Sequence, residues 1–239
     1  MTPGLFFTGT DTDVGKTFVM AAVARHLHQQ GFAVKVCKPI ATGAQYIQQR
    51  WWSMDTVLLA ESVGATDWER ITPFTFVAPA APPVAARQAG VTLALDDLVA
   101  AVQRQAADAD VVLVEGVGGL LCPLTERETV ADLAERLRWP LVVVARRSLG
   151  TLNHTLLTVA VAQQRGLRVA GVVVNETQPA RGLAEETNVE ELCKRLPIPV
   201  LTVVPHQVGS ATGVASAIAA VDWQRLAHVN SWGEKETIR

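Results

Sequence analysis

The chemistry of this 239-residue chain concentrates in Gly9-Thr10-Asp11-Thr12-Asp13-Val14-Gly15-Lys16-Thr17. The apolar run Leu5-Phe6-Phe7 leads into these residues, and an amphiphilic stretch starting near Lys16 leads out. A strand, a glycine-rich loop and a helix opening on Gly-Lys-Thr make a phosphate-binding loop. Loop N–H groups and the helix N-terminus converge on phosphate oxygens. Gly15 lets the backbone approach closely. Lys16 reaches the β- and γ-phosphates, and the Thr17 hydroxyl ligates Mg²⁺. Five residues separate Gly9 from Gly15 where the common motif has four, so Thr10 stands where the first glycine is usual. A tight turn carrying a chance Gly-Lys-Thr would share these letters, but here the motif lies between the strand and the helix it requires.

Further candidates end other apolar runs. Glu115 follows Val111-Val112-Leu113-Val114 and precedes Gly116-Val117-Gly118-Gly119. An acidic residue there is the usual second anchor for nucleotide-bound Mg²⁺, and the glycines imply backbone pressed against a ligand. Asp55 is a second metal candidate and equally an ordinary carboxylate at a helix start, favoured by the helix dipole. Lys38 is either a surface lysine ending a strand or a second cation beside Lys16, able to stabilise charge on a transferring γ-phosphoryl group. An Asn amide such as Asn175 pairs with adenine N6 and N7, which would select ATP; it also suits a plain turn. Leu149-Gly150-Thr151-Leu152-Asn153 precedes a helix. Its free N–H groups suit an anion, and Thr151 or Asn153 also suits an ordinary N-cap.

The elements that must position these groups are legible from pattern. Strands are expected at Leu5–Thr8, Ala33–Cys37, Val111–Val114, Leu141–Ala145, Val169–Val174 and Val200–Val204. Helices are expected at Lys16–Gln30, Asp55–Val63, Leu95–Ala107 (with Asp96 or Asp97 near the N-cap), Val130–Leu137, from about Asn153 to Gln164, and Leu183–Arg195. Ile40–Met54 reads as a loop, and the proline-rich Thr72–Pro83 as an ordered excursion. Short continuous Val/Leu runs alternating with helices predict an α/β fold. Its mostly parallel sheet is doubly wound, with helices on both faces, of the P-loop NTPase type. Ligands of such sheets sit at the carboxyl ends of the strands. The 9–17 loop, Lys38, Glu115, the 149–153 turn and Asn175 share that edge.

Composition narrows the class. With 49% hydrophobic residues the chain suits one P-loop α/β domain over residues 1–230, with a polar, disordered tail at 231–239. A net charge of -2 and no basic stripe disfavour a nucleic-acid partner. No apolar run reaches the ~18 residues of a membrane span. Three widely spaced cysteines suit a reducing cytoplasm.

On these residues the chain resembles the dethiobiotin synthetases from Leu5 to about Gln207. The resemblance is carried by the lengthened loop Gly9–Thr17, Cys37-Lys38-Pro39-Ile40-Ala41-Thr42-Gly43, Val114-Glu115-Gly116-Val117-Gly118-Gly119 and Leu149-Gly150-Thr151-Leu152-Asn153-His154. It implies that a carbamate forms from CO₂ and one amine of 7,8-diaminononanoate. ATP phosphorylates the carbamate, and the second amine closes the cyclic urea, giving dethiobiotin, ADP and phosphate. It further implies catalytic roles for Lys16, Lys38 and Thr12, and substrate contacts from Thr12, Lys38, Thr42 and Gly118. Mg²⁺ would lie on Thr17, Asp55 and Glu115. The nucleotide would lie along Asp13, Val14, Gly15, Lys16, Thr17 and Phe18, along Glu115, Gly116, Val117 and Gly118, and along Asn175, Glu176, Pro205, His206 and Gln207. In that family Leu149, Gly150 and Asn153 come from the neighbouring subunit of a homodimer and take the substrate carboxylate. This chain departs from the family pattern in carrying Thr42 where Ser is frequent, Glu176 where Asp is common, Pro83 where His is frequent, and Trp51-Trp52 and Met54 before Asp55.

Two other classes share the fold. An amidation ATPase of the cobyrinate type usually carries a glutaminase domain, for which this length leaves no room. A partitioning or positioning ATPase, a nucleotide switch, carries a second lysine early in the loop, where this chain has Thr10 and Asp11.

Overall fold

The computed structural model describes residues 2–47, 49–179, 182–206 and 211–228; the expectations for Gln207 and for the 231–239 tail lie outside the described residues. The chain opens with β1 (Gly4–Gly9), α1 (Lys16–Gln29) and β2 (Val34–Cys37). Then come β3 (Ile40–Ala41), β4 (Gln45–Ile47), β5 (Arg50–Trp52), α2 (Met54–Val63), α3 (Trp68–Ile71), β6 (Phe74–Thr75) and α4 (Pro82–Gln88). Next are α5 (Leu95–Ala106), β7 (Val111–Gly119), α6 (Val130–Leu137), β8 (Leu141–Arg146), α7 (Thr151–Gln164) and β9 (Val169–Asn175). The last elements are α8 (Leu183–Arg195), β10 (Val200–Val204), α9 (Ala211–Ala219) and α10 (Trp223–His228).

Six strands form one sheet in the order β10-β9-β8-β1-β7-β2, and every pairing in it is parallel. Strand alternation sorts its side chains into two cores. Leu5, Phe7, Val111, Leu113, Val142 and Val144 face α1, α2, α9 and α10, where Met20, Leu59, Ile218 and Trp223 are buried. Phe6, Val112, Val114 and Leu141 face α4, α5 and α6. Val143, Ala145, Val172 and Val174 face the other way from Val142 and Val144, onto α7 and α8. Both faces are therefore covered, which is why the strands read as unbroken apolar runs. The chain passes from β1 out to β2, returns to β7 beside β1, and then builds β8, β9 and β10 on the opposite side. Strand order reverses at β1, and a crevice opens there at the carboxyl ends.

Several segments differ from expectation. Residues 40–54 are not all loop: Ile40–Ala41 pairs in parallel with Phe74–Thr75, and Gln45–Ile47 pairs with Arg50–Trp52 as a hairpin. The hairpin is fastened by the edge-on contact of Trp52 with Trp68 and by the Arg50–Glu69 ion pair. Pro82 and Pro83 open a helix, because the first helical turn needs neither of the N–H groups that proline lacks. The N-cap of α5 is Ala94, which places Asp96 and Asp97 inside the first turn, where a carboxylate meets the helix dipole. The N-cap of α7 is Gly150, not Thr151 or Asn153.

Candidate active site

The loop after β1 runs into a helix start that no side chain caps. Gly15 is the N-cap of that helix, α1, at φ 86°. Only glycine fits this position. A Cβ there would stand 2.1 Å from Nδ2 of Asn175, on backbone that L side chains rarely adopt. Asn175 ends β9, is buried, and donates from Nδ2 to the Val14 carbonyl at 3.0 Å. The far side of the sheet thus holds the loop. Asp11 braces it from within: its Oδ1 accepts the Thr12 N–H at 2.7 Å, and its carbonyl accepts from Lys16 Nζ at 3.0 Å. Arg146, at the end of β8, lies 3.5 Å from Asp11 Oδ2.

Strand register assembles the charged centre. Cys37 pairs with Val114 across β2 and β7, so the next residues, Lys38 and Glu115, meet. Glu115 shares a strand face with Val111 and Leu113, the face that α1 covers, and so it points at the start of that helix. Its Oε1 accepts from Thr17 Oγ1 at 2.8 Å and from Lys38 Nζ at 2.9 Å. Lys38 Nζ also forms an ion pair with Asp55. Asp55 sits in the first turn of α2, whose N-cap Ser53 accepts the Asp55 N–H at 3.2 Å.

Lys38 is only 5% exposed and Glu115 only 1%, so Lys38 is not a surface lysine. Burial opposes its charge, yet the carboxylates of Glu115 and Asp55 outweigh burial and hold its pKa above the ordinary lysine value. Burial likewise disfavours the Asp55 carboxylate, and Lys38 reverses this, holding its pKa below the usual range. Lys16 has weaker compensation: burial, joined by repulsion from Lys38, lowers its pKa despite Glu115. Its ammonium lacks a full counter-charge, a condition that a phosphate would relieve.

These groups line a cleft of about 370 Å³ with Thr12, Asp13, Gly15, Phe18, Thr42, Leu58, Val117 and Gly118. A divalent ion fits the donor set. Glu115 Oε2 is buried without a hydrogen-bond partner, Thr17 and Asp55 lie beside it, and two carboxylates plus phosphate oxygens suit Mg²⁺. Among the described residues no group of three or more His, Cys, Asp or Glu could hold a metal, so such an ion would depend on the phosphates as well.

Other expected residues lie elsewhere. Val14 is buried in the core. At Gly116 a Cβ would stand 2.7 Å from Val130, so that glycine makes room for α6. Glu176, Pro205 and His206 are not among the residues that line this cleft; Glu176 Oε2 accepts the His206 N–H at 3.2 Å. Leu149, Gly150 and Asn153 are exposed and do not line the cleft of their own chain. The sequence reading missed Leu58, Ser53, Arg146 and Arg147, and gave Asp11 no bracing role within the loop. Only the Ser-x-Asp spacing at a helix start offered a signal.

A parallel sheet with this loop between its switch-point strand and the following helix defines a P-loop ATPase fold. A family model described as an AAA domain matches residues 3–211. The ATP-dependent dethiobiotin synthetase BioD of Anaeromyxobacter dehalogenans strain 2CP-C is 42% identical over 221 residues, covering 91% of this chain and 97% of that protein. The protein of the same name from Aromatoleum aromaticum is 40% identical over 206 residues, covering 86% and 91%. The chain belongs to the dethiobiotin synthetase family. Among solved structures, the septum site-determining protein MinD from Pyrococcus horikoshii, complexed with Mg-ADP, superposes with a TM-score of 0.64 at 16% identity, covering 98% of this chain and 100% of that one. Cobyrinic acid a,c-diamide synthase from Mycobacterium smegmatis, with a bound ATP analogue and magnesium, reaches a TM-score of 0.53 at 17% identity and 91% coverage of both chains. These two likenesses are of fold. Among the described residues no helix is long and apolar enough to cross a membrane.

Proposed function

We propose that the chain is an ATP-dependent dethiobiotin synthetase. One amine of 7,8-diaminononanoate adds to CO₂ and loses a proton, giving a carbamate. The γ-phosphoryl group of ATP passes to a carbamate oxygen, forming a carbamic-phosphoric anhydride and ADP. The second amine attacks the carbamate carbon, expels phosphate and loses a proton, closing the ureido ring of dethiobiotin.

The observation that carries this reading is Lys38, a buried ammonium fixed between Glu115 and Asp55 in the cleft that also holds Lys16. Carbamate and γ-phosphoryl oxygens are all anionic, and fixed cations there stabilise the charge as it moves between them. Lys16 and the uncapped start of α1 hold the phosphates. Thr12, Thr42 and Gly118 line the same cleft and would hold the reacting end of the substrate. Thr17, Asp55 and Glu115 would hold Mg²⁺, which supplies Lewis-acid neutralisation of phosphate charge. Asn175, Glu176, Pro205 and His206 would flank the base. In a cytoplasmic homodimer, the exposed Leu149, Gly150 and Asn153 would present the α7 N-terminus to the substrate carboxylate in the partner's site.

The test is ADP release by purified protein given ATP, Mg²⁺, bicarbonate and diaminononanoate, each omitted in turn. Release should need all four and yield dethiobiotin in equal amount. ADP release that ignores both carbon substrates would point to a nucleotide switch and overturn the assignment.

A further inference from the structure

One side chain links the segments that follow β8, β9 and β10. Arg147 follows β8 and forms an ion pair through Nη1 with Glu176, both side chains being largely buried. Its Nε donates to the Glu185 carbonyl of α8, and its backbone N–H donates to the Asn175 carbonyl at 2.9 Å. Glu176 in turn uses its second oxygen to accept the His206 N–H, and its own N–H donates to the Val204 carbonyl at 2.9 Å. Arg147 therefore contacts Asn175, which ends β9, and Glu176, which follows it, and through Glu176 it reaches the end of β10.

We propose that Arg147 is a positioning residue for nucleotide recognition, acting through Glu176 and His206 to set the base-binding edge of the cleft. This rests on the reading of the cleft as an ATP site. The guanidinium fork can satisfy a carboxylate and a carbonyl in one plane, which an ammonium cannot reproduce. Glu176 has both oxygens engaged, so the carboxylate serves as a bracket between Arg147 and His206. Without Arg147 it is an unpaired, mostly buried anion that must turn towards water, releasing the His206 N–H. The loop itself is held separately, by Asn175 on Val14 and by Asp11 on Lys16. The defect should then be confined to the base end of the nucleotide.

Calorimetric titration with Mg-ATP and with Mg-tripolyphosphate separates the two ends. Wild-type protein should bind both. Arg147→Ala should weaken ATP binding about tenfold, the scale of one hydrogen bond to a charged group, and leave tripolyphosphate affinity within about twofold. Glu176→Gln should weaken ATP binding in the same way. Its combination with Arg147→Ala should be no worse than either alone, as for residues acting as one unit. Arg147→Lys, which keeps the charge, should recover part of the loss and guards against a poorly folded alanine variant. Unchanged ATP affinity in both Arg147 variants would overturn the proposal. So would an equal loss for ATP and tripolyphosphate, which marks a general structural role. A wild-type protein that binds tripolyphosphate no more weakly than ATP would overturn the base-site reading itself.

Discussion

Replacing Lys38 by Met keeps the length of the side chain and removes its charge. Lys38 Nζ stands 2.9 Å from Glu115 Oε1, and the Glu115 side chain is fully buried. At an effective dielectric of about 20 that pair has a gross attraction of about 6 kcal/mol. Desolvation of the ions offsets much of it, and the measurable loss on removing one partner of a buried pair is about 3–5 kcal/mol. Asp55 adds little to that loss, because its side chain is 44% exposed and water can take over. Since a domain has only about 5–15 kcal/mol in all, Lys38→Met should be visibly destabilised in urea. Lys38→Met combined with Glu115→Gln has no stranded anion and should regain most of the loss, leaving a deficit of about 1 kcal/mol for altered hydrogen bonding. Turnover should behave differently. Single-turnover ADP formation should fall about a hundred- to a thousandfold in Lys38→Met, and the double variant should not recover it. Two results would refute the reasoning: a Lys38→Met enzyme within a few-fold of wild-type turnover, or a double variant no more stable than Lys38→Met alone.

Gly15→Ala places a Cβ on Asn175 Nδ2 at φ 86°; backbone strain alone is about 1–2 kcal/mol, so melting temperature and ATP affinity should both fall, and normal ATP affinity would contradict the loop geometry. Glu115→Gln keeps shape and loses charge. The Mg²⁺ concentration for half-maximal turnover should rise roughly tenfold, the scale of one charge-assisted contact, and an unshifted Mg²⁺ titration would remove Glu115 from the metal site. Asn153→Ala should raise the KM for diaminononanoate while ATP affinity stays put, and the wild-type protein should sediment as a dimer. A fully active monomer would refute the shared site.

Much of the fold was legible because its signals are local. Val111–Val114 and Leu141–Ala145 are apolar on consecutive residues because helices cover both sheet faces. The hairpin at residues 45–52 was not legible. Its pairs Tyr46–Trp51 and Gln45–Trp52 lack a turn signal such as Asn-Gly, and Trp52 is ordered by Trp68, which lies outside the segment. The short helix at Pro82 was hidden because proline signals both a break and a helix start.

By itself the sequence marked the candidates for chemistry: the spacing from Gly9 to Thr17, and the polar residues Lys38, Glu115 and Asn175 that terminate apolar runs. These are properties of neighbours along the chain. Only the tertiary structure decided between a surface lysine and a buried one at position 38. That outcome depends on β2 lying beside β7 in a register that joins residues 77 apart. The same holds for Asn175, whose amide reaches the loop carbonyl of Val14 from 161 residues away, and for Arg147, which gains its meaning only where the ends of β8, β9 and β10 meet. Local pattern encodes strands and their faces, whereas strand order arises from the packing of the whole chain, and it is strand order that brings these charges together.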